Sequence, residues 1–535
     1  RGLRLDDIGR LPSGNAWLFV EFGADTVERA SALAMELMGS LERGPDCPNS
    51  MLVEDAELQG RFWSIRETGA SATALSLEEG KPDPVVGWED AAVDPLRLGD
   101  YLREFQSLVD GYGYETSLYG HFGDGCIHAR INFDLRSAEG IGKWREFLKK
   151  AAELVVKYGG SLSGEHGDGQ AKAEFLPIMY GEELMQAFRE FKSIWDPLNR
   201  MNPGKLVDAY RVDENLRMGP DYRPREFPVH FSYASARGSF SRAIERCIGM
   251  GKCRSTEGGT MCPSYRATGD ERHSTRGRSR LLFEMLRGEV IENGWKSEEV
   301  KEALDSCLSC KGCRSDCPTH VDMATYKAEF LSGYYENRPR PVQAYSMGMT
   351  NLWARLASLA PRLVNWVTAS PVLHPMLKKM AGIDPRRRIP RLPMRTFRRM
   401  FVPKKPSEEG IGRVILWPDT FNNYFRPETA LAAAVVLENA GYIVELPKRQ
   451  LCCGRPLYDF GMLDQAKSQL REIMKDLRKE IEAGIPIVGL EPACVSTFRD
   501  ELPNLFPHDE IAAKLSRQVF MFSEFLEKTD FMPPR

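Results

Sequence analysis

The sequence predicts a multidomain protein with an α+β first part, a helical cysteine-rich module and an α/β last part. Three observations lead to this prediction. The chain has 535 residues, more than one hydrophobic core usually serves. Strand-like and helix-like patterns alternate over about the first 217 residues. Seven of the 12 cysteines lie between Cys247 and Cys317, in a segment without strand patterns.

The composition is that of an ordinary globular protein. Apolar residues make up 42% and charged residues 27%, and the net charge of -3 gives no indication of nucleic-acid binding. No run of 18 apolar residues predicts a membrane-spanning helix, and no signal peptide begins the sequence. The first residue is Arg1 rather than Met, so we expect that an N-terminal part of the protein is missing from this sequence.

The first part is predicted as one α+β domain over residues 1–217. Its elements are a buried strand, a helix, two further strands and a second helix, at residues 16–22, 26–41, 116–122, 126–133 and 143–158. Gly159 and Gly160 follow that second helix, as is usual at a helix C-terminus. Residues 218–239 are predicted as a linker because prolines are frequent at their start.

Three further segments follow the linker. Residues 240–335 are predicted as a helical module with cysteine-rich turns, and residues 336–405 as a helical connector. Residues 406–535 are predicted as an α/β domain that we expect to be incomplete. Its predicted strand, helix, strand and final strand lie at residues 414–417, 429–440, 443–446 and 486–490.

Two glycine-framed loops carry candidate metal ligands. In the first, a Gly-Asp-Gly turn folds His121 and His128 back toward each other. In the second, Glu165 and His166 lie between Gly164 and Gly167. Two histidines and one carboxylate suit Zn²⁺, Mn²⁺ or Fe²⁺ with positions left open for a substrate. The alternative is a pair of glycine turns with incidental polar neighbours, and the two loops together argue against it.

The strand after the first turn has one polar and one apolar face. Alternation puts His128, Arg130 and Asn132 on one side of the strand, opposite Ile127, Ala129, Ile131 and Phe133. The polar face, with its histidine, arginine and asparagine, indicates a site rather than a core.

These segments resemble the C-terminal half of the FAD-linked oxidase family, which includes D-lactate, glycolate and D-2-hydroxyglutarate dehydrogenases. The resemblance extends over about 210 residues and is carried, in family order, by residues 62–67, 88–93, 120–128, 163–169, 195–197 and 202–205. The glycine-rich pyrophosphate-binding domain of the family is absent from the sequence. FAD is therefore an expectation from the resemblance.

The resemblance implies roles for individual residues. It implies a divalent metal on His121, His128 and Glu165, with His166 as the catalytic base. Substrate binding is expected at Arg66, Lys81 and Arg130, and FAD binding at Asn202 and Glu89. Two residues depart from the family pattern, because Cys126 and Arg130 stand where asparagine is usual.

The cysteine spacing predicts two iron–sulfur clusters. Cys307-x2-Cys310-x2-Cys313-x3-Cys317-Pro318 is the bacterial ferredoxin spacing, in which the fourth cysteine ligates the other cluster. One [4Fe–4S] cluster is therefore assigned to Cys262, Cys307, Cys310 and Cys313. The other is assigned to Cys247, Cys253 and Cys317, with Met250 at the place of its missing cysteine, so it is [3Fe–4S] or has a non-cysteine ligand. A zinc ribbon is the alternative for the later cysteines taken alone.

The last part resembles the cysteine-rich domain of heterodisulfide-reductase-like proteins. Cys452-Cys453-Gly454 is its signature, and Cys494 follows in Glu491-Pro492-Ala493-Cys494. These three cysteines are candidate redox residues, with two adjacent structural thiols as the competing interpretation. Between this domain and the cluster module, seven arginines lie within residues 386–399. A solvated loop or a domain contact is the first interpretation of this run, and peripheral attachment to an anionic membrane near a quinone is the second.

Together the three parts resemble large bacterial D-2-hydroxyglutarate dehydrogenases. We expect FAD-, metal- and cluster-dependent oxidation of a D-2-hydroxy acid, most simply the dicarboxylate D-2-hydroxyglutarate, with electrons passing to a quinone or an electron-transfer protein. The alternatives are a D-lactate or glycolate dehydrogenase and, from another class, an electron-transfer subunit without its own substrate. Clustered cysteines in a large chain indicate metal or redox chemistry, so the cytoplasm is the expected compartment. A homo-oligomer is also expected.

Overall fold

The computed structural model describes residues 5–43, 47–72, 82–403 and 411–529. The chain divides into two compact units, Arg1–Arg223 and Pro224–Arg535. The finer domain boundaries expected within these units stay predictions. No helix in the described ranges is long and apolar enough to span a membrane.

The first unit contains an antiparallel sheet of three strands, β1 (Val85–Ala92), β2 (Thr116–His121) and β3 (Cys126–Ile131), in the order β1-β3-β2. Its α-helices are Leu5–Ile8, Val27–Glu42, Ala56–Ala72, Leu98–Gly111, Ala138–Lys157, Gly169–Lys172 and Leu176–Trp195. The strands predicted before and after the Gly-Asp-Gly turn are confirmed, and so are the two predicted helices, with ends shifted by a few residues.

Alternation along β3 separates the core from the site, as predicted. Ile127, Ala129 and Ile131 join the hydrophobic core that helices Leu98–Gly111 and Ala138–Lys157 cover. Full burial of one such side chain stabilises the fold by about 1.5–3 kcal/mol. The alternate residues of β3, His128 and Arg130, are buried on the opposite face.

Helix Ala138–Lys157 has the two end signals that its sequence indicates. It begins after Ser137, whose Oγ accepts a hydrogen bond from the Gly140 N–H at 3.0 Å. It ends before Gly159, which has a left-handed φ of 70°. These signals define where the helix begins and ends.

The prediction of a buried strand at residues 16–22 is wrong. These residues pair with no strand of the described chain. Trp17, Leu18 and Val20 are 41%, 69% and 60% exposed. An apolar run has strand propensity, but a strand also needs a partner for its N–H and C=O groups. Neither edge of the β1-β3-β2 sheet provides that partner.

The second unit contains a parallel sheet, which confirms the predicted α/β part. β4 (Gly412–Trp417), β5 (Tyr442–Glu445), β6 (Ile487–Gly489) and β7 (Val519–Met521) lie in the order β5-β4-β6-β7. The α-helices before β4 are Phe240–Glu245, Pro263–Thr268, Thr275–Arg287, Glu298–Asp305, Gly312–Asp316, Met323–Tyr334, Val342–Ser346, Thr350–Ala357, Pro361–Ala369, Leu373–Ala381 and Phe397–Met400. Those after β4 are Thr420–Tyr424, Pro427–Asn439, Arg455–Asp459, Leu463–Asp476, Arg478–Glu482, Pro492–Ser496, Leu502–Leu505, Glu510–Gln518 and Phe522–Lys528.

The arginine-rich run divides into exposed and packed residues. Arg386 is exposed and pairs with Asp384. Arg398 instead donates hydrogen bonds to the carbonyl oxygens of Pro447 and Lys448, at 2.7 and 3.0 Å. One end of the run is therefore a contact with the α/β part, as the first interpretation requires.

Candidate active site

A tight turn between β2 and β3 brings two histidines together. Residues Phe122–Asp124 form a single 3-10 turn that ends at Gly125, whose φ is 69°. A Cβ atom on Gly125 would lie 1.8 Å from the Val93 carbonyl oxygen, so only glycine fits there. His121 ends β2 and His128 lies within β3, and their ring centroids are 6.1 Å apart.

The loop at residues 161–168 adds the second pair of side chains. Ser161 and Ala92 exchange backbone hydrogen bonds of 2.8 and 3.0 Å at the end of β1. Three residues further along the loop, the Gly164 N–H donates to the Asp90 carbonyl oxygen at 2.7 Å. The loop is therefore fixed along β1, and it presents Glu165 and His166 to the two histidines.

Glu165 Oε1 is the centre of the cluster. It lies 3.3 Å from His121 Nε2, 3.3 Å from His128 Nε2 and 3.4 Å from the Nε2 of His166. The structure thus brings together all four residues that the sequence assigned to the metal and the base. The His128 side chain is 5% exposed, whereas His121, Glu165 and His166 are between 40% and 52% exposed. One side of the cluster is accessible to a small ligand.

Glu89 contacts the other edge of two of these rings. Its Oε2 lies 3.1 Å from His128 Nδ1 and 3.0 Å from His166 Nδ1. Burial works to raise the pKa of Glu89, but the hydrogen bonds from the two imidazoles outweigh it and hold the pKa below the usual range. Burial lowers the pKa of His166, and Glu89 reverses this and raises it. The resemblance implies FAD binding for Glu89, whereas its place among the imidazoles favours a role in the histidine cluster.

Asp90 contacts the loop at residues 161–168 and is completely buried. It accepts hydrogen bonds from the N–H groups of Glu165 and His166 at 3.0 and 2.9 Å, and from the Ser163 hydroxyl. Burial works to raise the pKa of Asp90, yet these donors bring it to about 2. The buried Lys172 ammonium, 4.0 Å from Asp90 Oδ2, donates to the carbonyl oxygens of Glu89 and Leu162.

Cys126, one of the two departures from the family pattern, also faces Asp90. Its Sγ lies 3.4 Å from Asp90 Oδ1, and the side chain is buried. Burial and the Asp90 carboxylate raise the pKa of the Cys126 thiol to about 12. The thiol therefore stays protonated at neutral pH, as a hydrogen-bond donor to Asp90 requires.

The expected substrate-binding cations differ in their surroundings. Arg66 Nη2 lies 3.3 Å from His121 Nδ1, directly beside the cluster. Arg130 is buried on the His128 face of β3, and its Nε has no hydrogen-bond partner among the described residues. Lys81 lies outside those residues. Asn202, expected to approach FAD, lies in an exposed turn with a left-handed φ of 48°.

Three further residues of the site, Asp90, Ser163 and Lys172, are not predicted from the sequence motifs. A signal for Asp90 was present, because two adjacent acidic residues interrupt the apolar run of β1, and charged residues are almost never fully buried without partners. Lys172 had no such signal, since its helix Gly169–Lys172 has only four residues.

In the second unit, the first set of cysteines lines a small cavity. Cys247, Cys253, Cys317 and Met250 are all among its lining residues. Cys317 thus lies with the earlier cysteines, as the crosswise spacing requires. The Arg276 N–H donates to Cys253 Sγ at 3.3 Å, and such hydrogen bonds to sulfur are a feature of iron–sulfur sites.

The second set of cysteines contains two buried thiols, Cys262 and Cys313, together with the exposed Cys310. Burial, Asp322 and the neighbouring thiols of Cys307 and Cys262 raise the pKa of the Cys313 thiol. The Thr275 N–H donates to Cys262 Sγ at 3.0 Å. The Met323 N–H likewise donates to Cys313 Sγ at 3.4 Å, and such hydrogen bonds to sulfur are typical of iron–sulfur sites.

The Cys-Cys-Gly segment lies beside this second set. Cys453 Sγ and Cys494 Sγ are 3.1 Å apart and both residues are buried. Arg455 donates to the Ser309 carbonyl oxygen at 2.7 Å, and its other guanidinium nitrogen contacts Glu501 at 2.6 Å. Because Ser309 lies between Cys307 and Cys310, Arg455 joins the loop of the second cysteine set to the α/β part.

Three family models match successive parts of the chain. "FAD linked oxidases, C-terminal domain" matches residues 4–206, "4Fe-4S dicluster domain" matches residues 243–321, and "Cysteine-rich domain" matches residues 420–499. The order and extent of these matches agree with the three resemblances that the sequence motifs indicate.

Similar proteins are found among curated sequences. The chain is 27% identical over 495 residues to D-2-hydroxyglutarate dehydrogenase of Escherichia coli, covering 83% of this chain and 48% of the relative. It is 29% identical over 505 residues to the Pseudomonas putida enzyme of the same name, covering 84% and 48%. A D-lactate dehydrogenase of Archaeoglobus fulgidus is 38% identical over 132 residues, which are 24% of this chain and 29% of the relative. The chain thus spans about half the length of the first two relatives.

Proposed function

We propose that this chain, which contains an FAD-linked oxidase C-terminal domain, a 4Fe-4S dicluster domain and a cysteine-rich domain, is part of an enzyme that oxidises a D-2-hydroxy acid. The proposed substrate is D-2-hydroxyglutarate and the product 2-oxoglutarate. The observation that carries the proposal is the convergence of three imidazole Nε2 atoms on Glu165 Oε1. The similarity to D-2-hydroxyglutarate dehydrogenases supports the choice of substrate class.

The donor set fits a divalent metal. A hydrogen bond to the Glu89 carboxylate requires that His128 and His166 donate from Nδ1. In a neutral imidazole that donates from Nδ1, Nε2 carries a lone pair and is an acceptor. The His128 Nε2 and the Glu165 Oε1 are then two acceptors that face each other at 3.3 Å. A cation between Glu165 and the Nε2 atoms removes this conflict. We assign His121, His128 and Glu165 as the residues that would hold Zn²⁺, Mn²⁺ or Fe²⁺.

His166 would take the proton of the substrate hydroxyl on Nε2. Glu89 holds the opposite ring edge, so Nε2 points into the cluster, 3.4 Å from Glu165 Oε1. At 52% side-chain exposure, His166 can pass that proton to solvent. A metal held by the three ligands would supply a Lewis acid that lowers the pKa of the substrate hydroxyl. FAD, when bound, would accept the hydride from the α-carbon.

Substrate carboxylates would be held by Arg66, Lys81 and Arg130. The strongest support is the buried Arg130 Nε, which has no partner within the described ranges of the chain, because a buried donor normally has an acceptor. A monocarboxylate such as lactate leaves part of this positive charge uncompensated, whereas a second carboxylate pairs with it. A hydrogen bond to a charged group contributes about 1.5–3 kcal/mol, which corresponds to a preference of at least about tenfold in kcat/KM.

The test is a screen of D-2-hydroxy acids with the complete, FAD-loaded protein and a dye acceptor. We expect kcat/KM for D-2-hydroxyglutarate to exceed that for D-lactate by about tenfold or more, and Arg130→Ala to remove most of this preference. Arg103→Ala, at an exposed arginine paired with Asp100, is the matched control and should change neither value.

Equal kcat/KM for the two acids in the wild type would contradict the dicarboxylate proposal. It would favour a D-lactate or glycolate dehydrogenase, which the Archaeoglobus fulgidus relative supports. No turnover of any 2-hydroxy acid, with the clusters intact, would instead favour an electron-transfer subunit.

The cysteine sets would hold the two clusters assigned from their spacing. Iron–sulfur clusters supply one-electron transfer from the flavin toward an external acceptor, a quinone or an electron-transfer protein. Cys452, Cys453 and Cys494 are proposed as a third redox site, supported by the close Cys453–Cys494 contact and by the Arg455 link to the second set. Asn202 remains the proposed FAD contact. A homo-oligomer in the cytoplasm stays part of the proposal.

A further inference from the structure

We infer that two adjacent carboxylates, Glu89 and Asp90, are the positioning residues of this site. Glu89 orients the imidazoles of His128 and His166, and Asp90 fixes the backbone that carries Glu165 and His166. This inference rests on the proposed function for its effect on metal binding and turnover, but not for its structural basis.

An irregularity in β1 makes the shared role of the two carboxylates possible. Val85, Trp88 and Ala91 of β1 pair with residues 131, 129 and 127 of β3. Successive partners are therefore three residues apart on β1 but two residues apart on β3. β1 thus contains one extra residue between Val85 and Trp88 and another between Trp88 and Ala91. In a regular strand, adjacent side chains point to opposite faces. Here Asp90 has a left-handed φ of 68°, and both acidic side chains contact the histidine cluster.

Both carboxylate oxygens of Asp90 accept hydrogen bonds from donors of the loop. Its Oδ1 accepts from the Glu165 N–H and faces the Cys126 thiol, and its Oδ2 accepts from the His166 N–H and the Ser163 hydroxyl. Asp90 also lies close enough to Cys126, His128 and Glu165 for a shared metal. With both oxygens occupied by N–H, O–H and S–H groups, however, it is a poor ligand. Its contacts hold the two functional residues in place through their backbone.

Glu89 acts on side chains rather than on backbone. Its Oε2 is the common acceptor for the Nδ1 atoms of His128 and His166, whose rings stack with centroids 4.9 Å apart. An acceptor on Nδ1 fixes the tautomer and the direction of Nε2. The buried Lys172 Nζ donates to the Glu89 backbone carbonyl oxygen and lies beside the Asp90 carboxylate, so one cation contacts both residues.

The first experiment needs neither metal nor turnover. Hydrogen–deuterium exchange of the whole metal-free chain should show protected amides at Glu165 and His166, and Asp90→Ala should remove that protection. Asp94→Asn is the matched control, since Asp94 is exposed and its carboxylate accepts from the Leu96 N–H just after β1, away from the loop. In the same metal-free chain, ¹⁵N NMR of the eight histidines should show Nδ1–H tautomers for His128 and His166 that Glu89→Ala shifts toward Nε2–H. Unchanged exchange in Asp90→Ala, or unchanged tautomers in Glu89→Ala, overturns the corresponding half.

The second experiment measures zinc affinity and steady-state kinetics. Loss of a carboxylate behind a metal-bound histidine typically weakens the metal about 10- to 100-fold. We expect this for Glu89→Ala, with partial recovery in Glu89→Gln, whose amide oxygen can still accept from one imidazole. At saturating zinc, kcat should fall about tenfold or more while KM changes less, because His166 is misdirected. Wild-type affinity and kcat in Glu89→Ala would overturn the inference. A wild type that binds no metal would instead refute the proposed function, and the metal-free measurements would still decide the inference.

Discussion

At the residue scale, His166 is the side chain whose role is most open to direct measurement. Its Nε2 is as close to Glu165 Oε1 as the Nε2 atoms of the two assigned ligands. Geometry alone therefore permits a third histidine ligand as well as a base. Exposure separates His166 only from His128, whose side chain is 5% exposed, because His121 is 40% exposed and His166 52%.

We expect His166→Asn to retain the metal and lose turnover. Removing a general base costs about 10²- to 10⁴-fold in kcat, whereas three remaining ligands suffice for a catalytic site. Metal content and kcat of the purified variant are the measurements, and His128→Asn is the comparison, since it should lose both. Metal loss in His166→Asn equal to that in His128→Asn would make His166 a ligand.

Some residues of the site could be predicted from the sequence and others could not. The glycines around His121, His128, Glu165 and His166 made these four predictable, because glycine turns at fixed spacing define where side chains meet. The partners of Glu89 and Asp90 were not predictable. Regular alternation puts these neighbours on opposite faces, and only the extra residues in β1 bring both to the cluster.

At the element scale, the cysteine module raises the question of its missing ligand. Met250 lines the same cavity as Cys247, Cys253 and Cys317 and is 49% exposed. A thioether is a much weaker iron ligand than a thiolate, so three cysteines favour a cluster with one iron fewer.

We predict that the wild type contains one [4Fe–4S] and one [3Fe–4S] cluster and that Met250→Cys converts the second into [4Fe–4S]. Iron counting and EPR of the oxidised and reduced protein are the measurements. Val290→Cys, at an exposed position, controls for the added thiol and should leave the spectra unchanged. Eight irons per chain in the wild type, or zinc in place of iron, would contradict this prediction.

Elements were predictable where the sequence contains both a pattern and its end signals. Helix Ala138–Lys157 has an apolar stripe and a terminating glycine, and it was predicted, although it begins at Ala138 after the Ser137 cap rather than at residue 143. Residues 16–22 have an apolar pattern but no partner strand in the described chain, and there the prediction failed. Pairing is a property of two segments, so propensity in one of them does not decide it.

At the scale of the whole molecule, stability should depend on pH through Glu329. This side chain is 2% exposed and accepts hydrogen bonds from the His230 and Phe231 N–H groups. Burial raises its pKa from 4.5 to about 7, although these donors oppose the shift. The folded state therefore holds the proton more tightly than the unfolded state does. Stability from this group is full below about pH 4.5 and is lost as the pH rises toward 7.

We expect the wild type to lose about 3 kcal/mol between pH 4.5 and 7 from this group, since one pKa unit corresponds to 1.36 kcal/mol. Glu329→Gln cannot ionise and should not show this loss. Thermal unfolding of both proteins across that range is the measurement, and Glu336→Gln, at an exposed position, is the control. Parallel pH profiles for wild type and Glu329→Gln would contradict the prediction.

The crosswise arrangement of the cysteines also has a consequence for biosynthesis. Cys317 lines the cavity of Cys247 and Cys253, which precede it by more than sixty residues. During translation, the first set therefore stays one thiol short until Cys317 leaves the ribosome. The second set becomes complete at Cys313, only four residues earlier. Both sites thus acquire their last thiol almost simultaneously. A scaffold protein that delivers clusters would therefore meet a nascent chain that can receive neither cluster before about residue 313 and both clusters from residue 317 on.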